Sequence, residues 1–288
     1  MARNEVAKIN ENFITTLQTT LADKESKGFL SFPQGYDYHS EMFDAYLTLK
    51  QTSNKQGLSV LDTCDKVSIT NTLFDMVRNG LSMNRGQCYA IDYKGKLQLQ
   101  ISVFGYEAIA RRKGLVSNST QIIYKNDVFK YHIEEGEIVI DEHTQNFENI
   151  DNDNIIGAYS IAVMSDGFKH TELMTLTQMR QAWRQGYGYK ENDKDTVHAK
   201  FTDQMCKKTV KKRCLKEIVR AYTDEGIDFE DNTETNRAED IVAERDMDVE
   251  NANSVDFTEI VAEAEVVPET QEAEVEVLES DEMPPFAV

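Results

Sequence analysis

The sequence predicts an α+β fold: antiparallel β-hairpins packed with helices, a helical N-terminal part and a disordered acidic C-terminal tail. Three observations predict it. Apolar residues near the N-terminus recur at steps of three and four, those in the middle of the chain alternate with polar ones, and the last stretch carries charge without a core.

Val6, Ile9, Phe13, Leu17 and Leu21 form one stripe, so residues 2–22 are read as the first helix. Gly28, Pro33 and Gly35 interrupt it. Ser40 is a candidate N-cap for a second helix to about Gln51, and a third runs from Thr63 to Asn79 with Gly80 as its stop. The period then becomes two. Leu97, Leu99, Ile101 and Val103 alternate with Lys96, Gln98, Gln100 and Ser102, while Tyr89, Ile91 and Tyr93 alternate ahead of Lys94-Gly95. That predicts a hairpin with one buried and one polar face.

Residues 106–113 return to helical character and stop at Gly114. Segments 119–124, 128–133 and 137–141 follow as strands around turns at Asn126-Asp127 and Glu135-Gly136, and a second hairpin, 155–164 with 168–174, brackets Asp166-Gly167. Thr177 is a candidate cap for a short helix carrying Met179, Ala182 and Trp183, and a loop rich in glycine and tyrosine leads to one long helix over 196–222. No internal repeat is evident.

Charge divides the chain in two. Of 288 residues and a net charge of −20, residues 224–288 hold 23 acids against two bases, a net charge of −21, which leaves residues 1–223 at +1. We therefore read 1–223 as one folded domain, and 224–288 as a mostly disordered tail whose composition cannot bury enough surface to offset ordering entropy. Residues 257–261 are the one tail segment read as a short helical turn against a partner. No apolar run is long enough to span a membrane and the N-terminus lacks a secretory layout, so the chain is read as soluble and intracellular. Cys64, Cys88, Cys206 and Cys214 lack metal or disulfide spacing and are expected to be reduced and buried.

Catalytic signatures come up empty. There is no phosphate loop, no nucleophile elbow and no H-E-x-x-H, and His39, His132, His143, His170 and His198 never fall at ligand spacing with one another. His39-Ser-Glu41 is half of a deaminase signature without its cysteines. Asp151, Asp153, Asp193 and Asp195 are the one acidic set that could serve a Mg²⁺-dependent nuclease; a solvated polar loop is the plainer reading.

Basic residues gather despite the neutral body. Arg111, Arg112 and Lys113 end the inserted helix, and Lys200, Lys207, Lys208, Lys211, Lys212, Arg213 and Lys216 line the last one. Lys208, Lys212 and Lys216 stand at i, i+4 and i+8 beside Lys200, Lys207 and Lys211, which predicts two adjacent cationic ridges. Such repulsion is relieved where a polyanion neutralises it. The alternative is a solvated face whose lysine stems cover the core. Rings stand close to these cations: Phe201 beside Lys200, Tyr106 before Arg111, and Trp183, Tyr187 and Tyr189 around Arg180, Arg184 and Lys190. Single strands need flat rings for stacking beside cations for the backbone, although Phe201 and Trp183 taken alone read as core.

Three segments together resemble the RecT family of phage and prophage single-strand annealing proteins, over most of residues 1–223. They are Asn79-Gly-Leu-Ser-Met-Asn84 leading into 87–93; Leu97-Gln-Leu-Gln-Ile-Ser-Val-Phe-Gly-Tyr-Glu-Ala-Ile-Ala-Arg-Arg-Lys-Gly114; and Phe201-Thr-Asp-Gln-Met-Cys-Lys-Lys-Thr-Val-Lys-Lys-Arg213. The resemblance implies ATP-independent annealing of complementary DNA by a ring or helical filament of many copies. It also implies a partner 5′–3′ exonuclease, a bacterial host cytoplasm, no enzyme activity and no cofactor, with Mg²⁺ at most a modulator.

Where the family commonly carries an aromatic-lysine-glycine turn, this chain has Val103-Phe-Gly-Tyr-Glu107. The expected DNA contacts therefore fall to Gln100, Tyr106, Arg111, Arg112 and Lys113, with Arg180, Arg184, Lys200, Phe201, Lys207, Lys208, Lys211, Lys212 and Arg213, rather than to Glu107. Neighbouring copies are expected to join these cations into one groove that holds single-stranded DNA, and then the annealed duplex. Helix one is a candidate contact between copies. The rival readings are a metal-dependent nuclease and a protein-only scaffold. The tail is read as a solubilising extension, as a docking segment, or as an occupant of the groove in the absence of DNA. Its ending, Glu279-Ser-Asp-Glu-Met-Pro-Pro-Phe286, resembles the acidic tip of bacterial single-strand-binding protein, except that Ala287 and Val288 follow; mimicry of that host protein is a further reading.

Overall fold

In the computed structural model the described residues are 9–53, 57–185, 189, 194 and 196–222. The acidic tail and the expected start of helix one at residue 2 lie outside them, as do Tyr187, Lys190, Asp193 and Asp195.

Helix α1 (Glu11–Ser26) is capped by Asn10, whose side chain accepts from the Phe13 amide, and α2 (Tyr38–Gln51) by Asp37 rather than Ser40. The expected third helix is α4 (Lys66–Arg78), which starts a little later than Thr63 because Asp65 caps it by accepting from the Ser68 amide, and a separate short α3 (Val60–Thr63) precedes it. Strands β1 (Cys88–Tyr93) and β2 (Lys96–Ile101) form a hairpin whose inner side packs on α4. Helix α5 (Val103–Arg112) begins earlier than periodicity suggested. Ser102 caps it, and Gly105 lies so close to the Gln87 carbonyl that a Cβ there would sit 2.1 Å from the oxygen.

The central sheet is antiparallel, in the order β3-β6-β7, built from β3 (Leu115–Tyr124), β6 (Ile155–Met164) and β7 (Lys169–Thr175). Between β3 and β6 the chain makes a separate hairpin of β4 (Val128–Glu134) and β5 (Glu137–Thr144), so β3 pairs with β6 and not with its sequence neighbour. Asp127 anchors the base of that hairpin: its buried carboxylate accepts from the Tyr124 amide, from His143 Nε2 at 3.2 Å and from Gln145 Nε2 at 3.0 Å. His143 Nδ1 meets the Tyr159 hydroxyl at 3.0 Å, which ties β5 to β6.

Helix α6 (Leu176–Gln185) is capped by Thr175, whose hydroxyl accepts from the Gln178 amide, rather than by Thr177. The expected single helix over 196–222 breaks at Phe201 into α7 (Val197–Lys200) and α8 (Thr202–Ala221). Helix α8 lies across the sheet and joins two cores. Cys206 and Val210 enter a cluster with Ile122, Met174, Met179 and Trp183, while Cys214, Leu215, Ile218 and Val219 enter a larger one with α1, α2, α4, α5 and the inner side of the first hairpin. All four cysteines are buried free thiols; burial pushes Cys88 and Cys206 up to about 12 and Cys64 and Cys214 up to about 11, so they remain protonated.

Candidate nucleic-acid interface

Lys94 and Gly95 both take positive φ, 56° and 81°, and close the first hairpin as a two-residue turn that sets Tyr93 opposite Lys96. Partners across a ladder share a face, so Ile91 stands with Gln98 and Tyr89 with Gln100. The inward side takes Cys88 and Ala90 with Leu97, Leu99 and Ile101. The outward side is therefore mixed. Tyr89, Ile91 and Tyr93 are 52%, 45% and 58% exposed, in a row beside Lys96, Gln98 and Gln100, and Lys94 Nζ lies 5.3 Å from the Tyr93 ring centre. This corrects the expectation that the apolar residues of both strands share the buried face.

The cations of α5 and α8 are arranged differently. Glu107 accepts from Arg111 at 2.7 Å and from Lys211 at 2.7 Å, and so bridges the two helices. Burial opposes ionisation of Glu107, but the hydrogen bonds and charges of Lys211 and Arg111 outweigh it and hold its carboxyl below the ordinary value. Lys212 Nζ lies 5.7 Å from the ring centre of Tyr106, itself buried at 2% exposure. Lys216, one turn further along α8, is buried. Arg112 is exposed as a residue while its guanidinium donates to the Asn79 carbonyl, and burial lowers its pKa. Lys113, at the end of α5, is exposed.

Two continuous open ridges along residues 200–216 are thus not what the fold holds. Lys200 sits on α7, across the break at Phe201, and the second half of α8 turns its lysines toward α5 because its apolar residues are claimed by the larger core. Tyr106 is a core ring. Arg213 ion-pairs with Glu172 of β7 at 2.9 Å, with its side chain half exposed.

Around the first half of α8 the cations do reach solvent. Lys200 and Lys208 are exposed, Lys207 is half-buried, and Arg180 and Arg184 are exposed one turn apart on α6. Trp183 lies beneath them as core, donating from Nε1 to Thr209 Oγ1 at 2.7 Å and packing against His198 and Tyr189. Burial, with the nearby Lys208 charge, lowers the pKa of His198, so this imidazole is neutral at pH 7. Phe201, read as core when taken alone, is 55% exposed.

The acidic set is not assembled among the described residues. Asp151 spends its carboxylate on the Asp153 amide and the Asn154 side chain, and no group of three or more His, Cys, Asp or Glu among the described residues could hold a metal ion. The His39 ring stacks on Tyr38. None of the helices among the described residues is long and apolar enough to cross a membrane.

Sequence reasoning missed Tyr89, Ile91 and Tyr93 as surface residues, along with Phe104, 66% exposed at the start of α5. The missing signal was the turn. A two-residue Lys94-Gly95 connection fixes the register and sends the large residues of β1 to the polar face of β2.

A sequence model of the RecT family matches residues 40–246, from α2 through the whole of β1 to α8, and so takes in every predicted contact residue. No curated protein matches the chain.

Proposed function

The chain belongs to the RecT family of single-strand annealing proteins of DNA recombination, and from that premise we propose that it anneals without ATP, as an assembly of many copies, in the recombination of a phage or prophage. The observation that carries the reading is the outward face of β1 and β2. It exposes two tyrosines and an isoleucine in a row, beside a row of lysine and glutamine, on a body of nearly neutral charge.

Bases of any sequence have a flat face to lay on Tyr89 and Tyr93, worth about 1–3 kcal/mol per stacked base. Lys94 and Lys96 neutralise phosphates and release counterions, and the amides of Gln98 and Gln100 offer donors to phosphate or sugar oxygens. The exposed cations Lys113, Arg180, Arg184, Lys200 and Lys208 extend the attraction over the surface. Arg111, half exposed and shared with Glu107, adds to it.

Chemistry is then delegated to the DNA. The protein holds one strand extended and screens its charge, so that a second strand approaches at lower electrostatic cost. Each correct base-pair step contributes about 1.4 kcal/mol of stacking, and no bond is made or broken in the protein. A 5′–3′ exonuclease that exposes the first strand, and a host single-strand-binding protein that must be displaced from it, are the partners this chemistry calls for. Fluorescence quenching on mixing complementary oligonucleotides, in chelator and without any nucleoside triphosphate, tests the reading. Acceleration over the protein-free rate is expected; an unchanged rate contradicts it.

A further inference from the structure

We propose that the outward face of β1 and β2 has a second occupant, the acidic tail of this chain, and that its segment Glu272-Ala-Glu-Val-Glu-Val-Leu-Glu279 lies there when DNA is absent. The proposal rests on the preceding reading of that face as a seat for single strands.

Charge is the first argument. Residues 224–288 carry −21 against +1 for the remainder, so the tail and the body's cations attract wherever salt does not screen them. Pattern is the second. In an extended chain successive side chains alternate sides, which would set Glu272, Glu274 and Glu276 along one side and Ala273, Val275 and Val277 along the other. The outward face has the same division. Tyr89, Ile91 and Tyr93 make an apolar row on β1, and Lys96, Gln98 and Gln100 make a cationic and amide row on β2. Neighbouring strands lie about 4.8 Å apart, so a chain along the furrow between the rows meets valines on one flank and donors to carboxylates on the other. A nucleic-acid strand presents the same pairing of flat apolar groups and regular negative charge.

Reach is the third. The Tyr222 hydroxyl donates to the Asp166 carboxylate at 2.6 Å, and the Tyr222 ring packs beside Phe168, which fixes the end of α8 to the β6–β7 turn. Between Tyr222 and Glu272 stand 49 residues, a length that would span roughly 40 Å as a random coil. A folded body of this size has a radius of gyration of about 17 Å, so the segment reaches any face of it, at an effective concentration on the order of millimolar. Weak contact suffices at that concentration. A strand of DNA that brings many phosphates displaces it, and a short one does not, so the tail sets a threshold for engagement.

The test uses the full chain with a photoreactive benzoylphenylalanine in place of Val275. At low salt, irradiation is expected to cross-link position 275 to a peptide within 88–101, and an added oligo-dT strand is expected to abolish that cross-link. In a parallel variant, Glu272→Gln with Glu274→Gln and Glu276→Gln should bind the same strand on the order of fivefold more tightly at low salt, with the gain lost as salt rises. Absence of the 88–101 cross-link overturns the proposal. If Tyr89 and Tyr93 then still govern DNA affinity, the reading of the face itself stands. A cross-link that forms and persists under saturating DNA overturns both the competition and the seating of DNA on this face.

Discussion

Along β1 the large apolar side chains face solvent, while along the second half of α8 the lysines are drawn into the fold. Tyr89, Ile91 and Tyr93 are each about half exposed, whereas Lys211 is ion-paired to Glu107, Lys212 covers Tyr106 and Lys216 is buried. The difference follows from what lies behind each element. The hairpin needs only one packed face, against α4, and is free to display the other. Helix α8 lies between two cores and has little surface to spare, so its cations serve packing first. A row of exposed rings that no local packing demands marks a binding surface more firmly than a run of lysines does.

The comparison breaks most visibly at Tyr106. If it is core rather than a stacking ring, Tyr106→Ala should destabilise the fold by about 3–5 kcal/mol, read as a lower denaturant midpoint. A stable variant with weakened DNA binding would return Tyr106 to the interface. The Glu107 bridge comes next. Glu107→Gln should cost about 1 kcal/mol near neutral pH, because the partly buried Lys211 loses its carboxylate. Since the folded state holds the Glu107 carboxyl below its unfolded value, the parent has this contribution in full above the unfolded pKa and loses it as pH falls through the folded one. The gap in stability between parent and Glu107→Gln should therefore close on acidification, and thermal melts at stepped pH check it. Smallest is the change at Lys96, where Lys96→Ala should leave stability alone and reduce the salt slope of single-strand binding by about 0.7. Lys212→Ala should alter that slope less than it alters the melt.

Much of the architecture is legible because helix stripes and two-residue turns are local signals. The stripe from Phe13 to Leu21 is buried along α1 and the Asp166-Gly167 hairpin lies where the turn predicted it, whereas the caps are Asp37 and Thr175 in place of Ser40 and Thr177. What was not legible depended on contacts distant in sequence. Nothing local says that β3 passes over the β4–β5 hairpin to pair with β6, or that Glu107 reaches Lys211 from 104 residues away. The cationic ridge of α8 was drawn from helical geometry alone, which fixes angles around an axis but not which angles the neighbours claim. The face of β1 is the contrary case, since its register was already contained in the Lys94-Gly95 turn.

The affinity of the full chain carrying Tyr89→Ala and Tyr93→Ala for an unstructured oligonucleotide, measured beside its unfolding midpoint, bears most directly on where the strand is held. The predicted result is binding weakened by at least tenfold, about 1.4 kcal/mol or more, at an unchanged midpoint. Parental affinity in that variant would contradict the assignment of the outward β1–β2 face as the seat of the DNA.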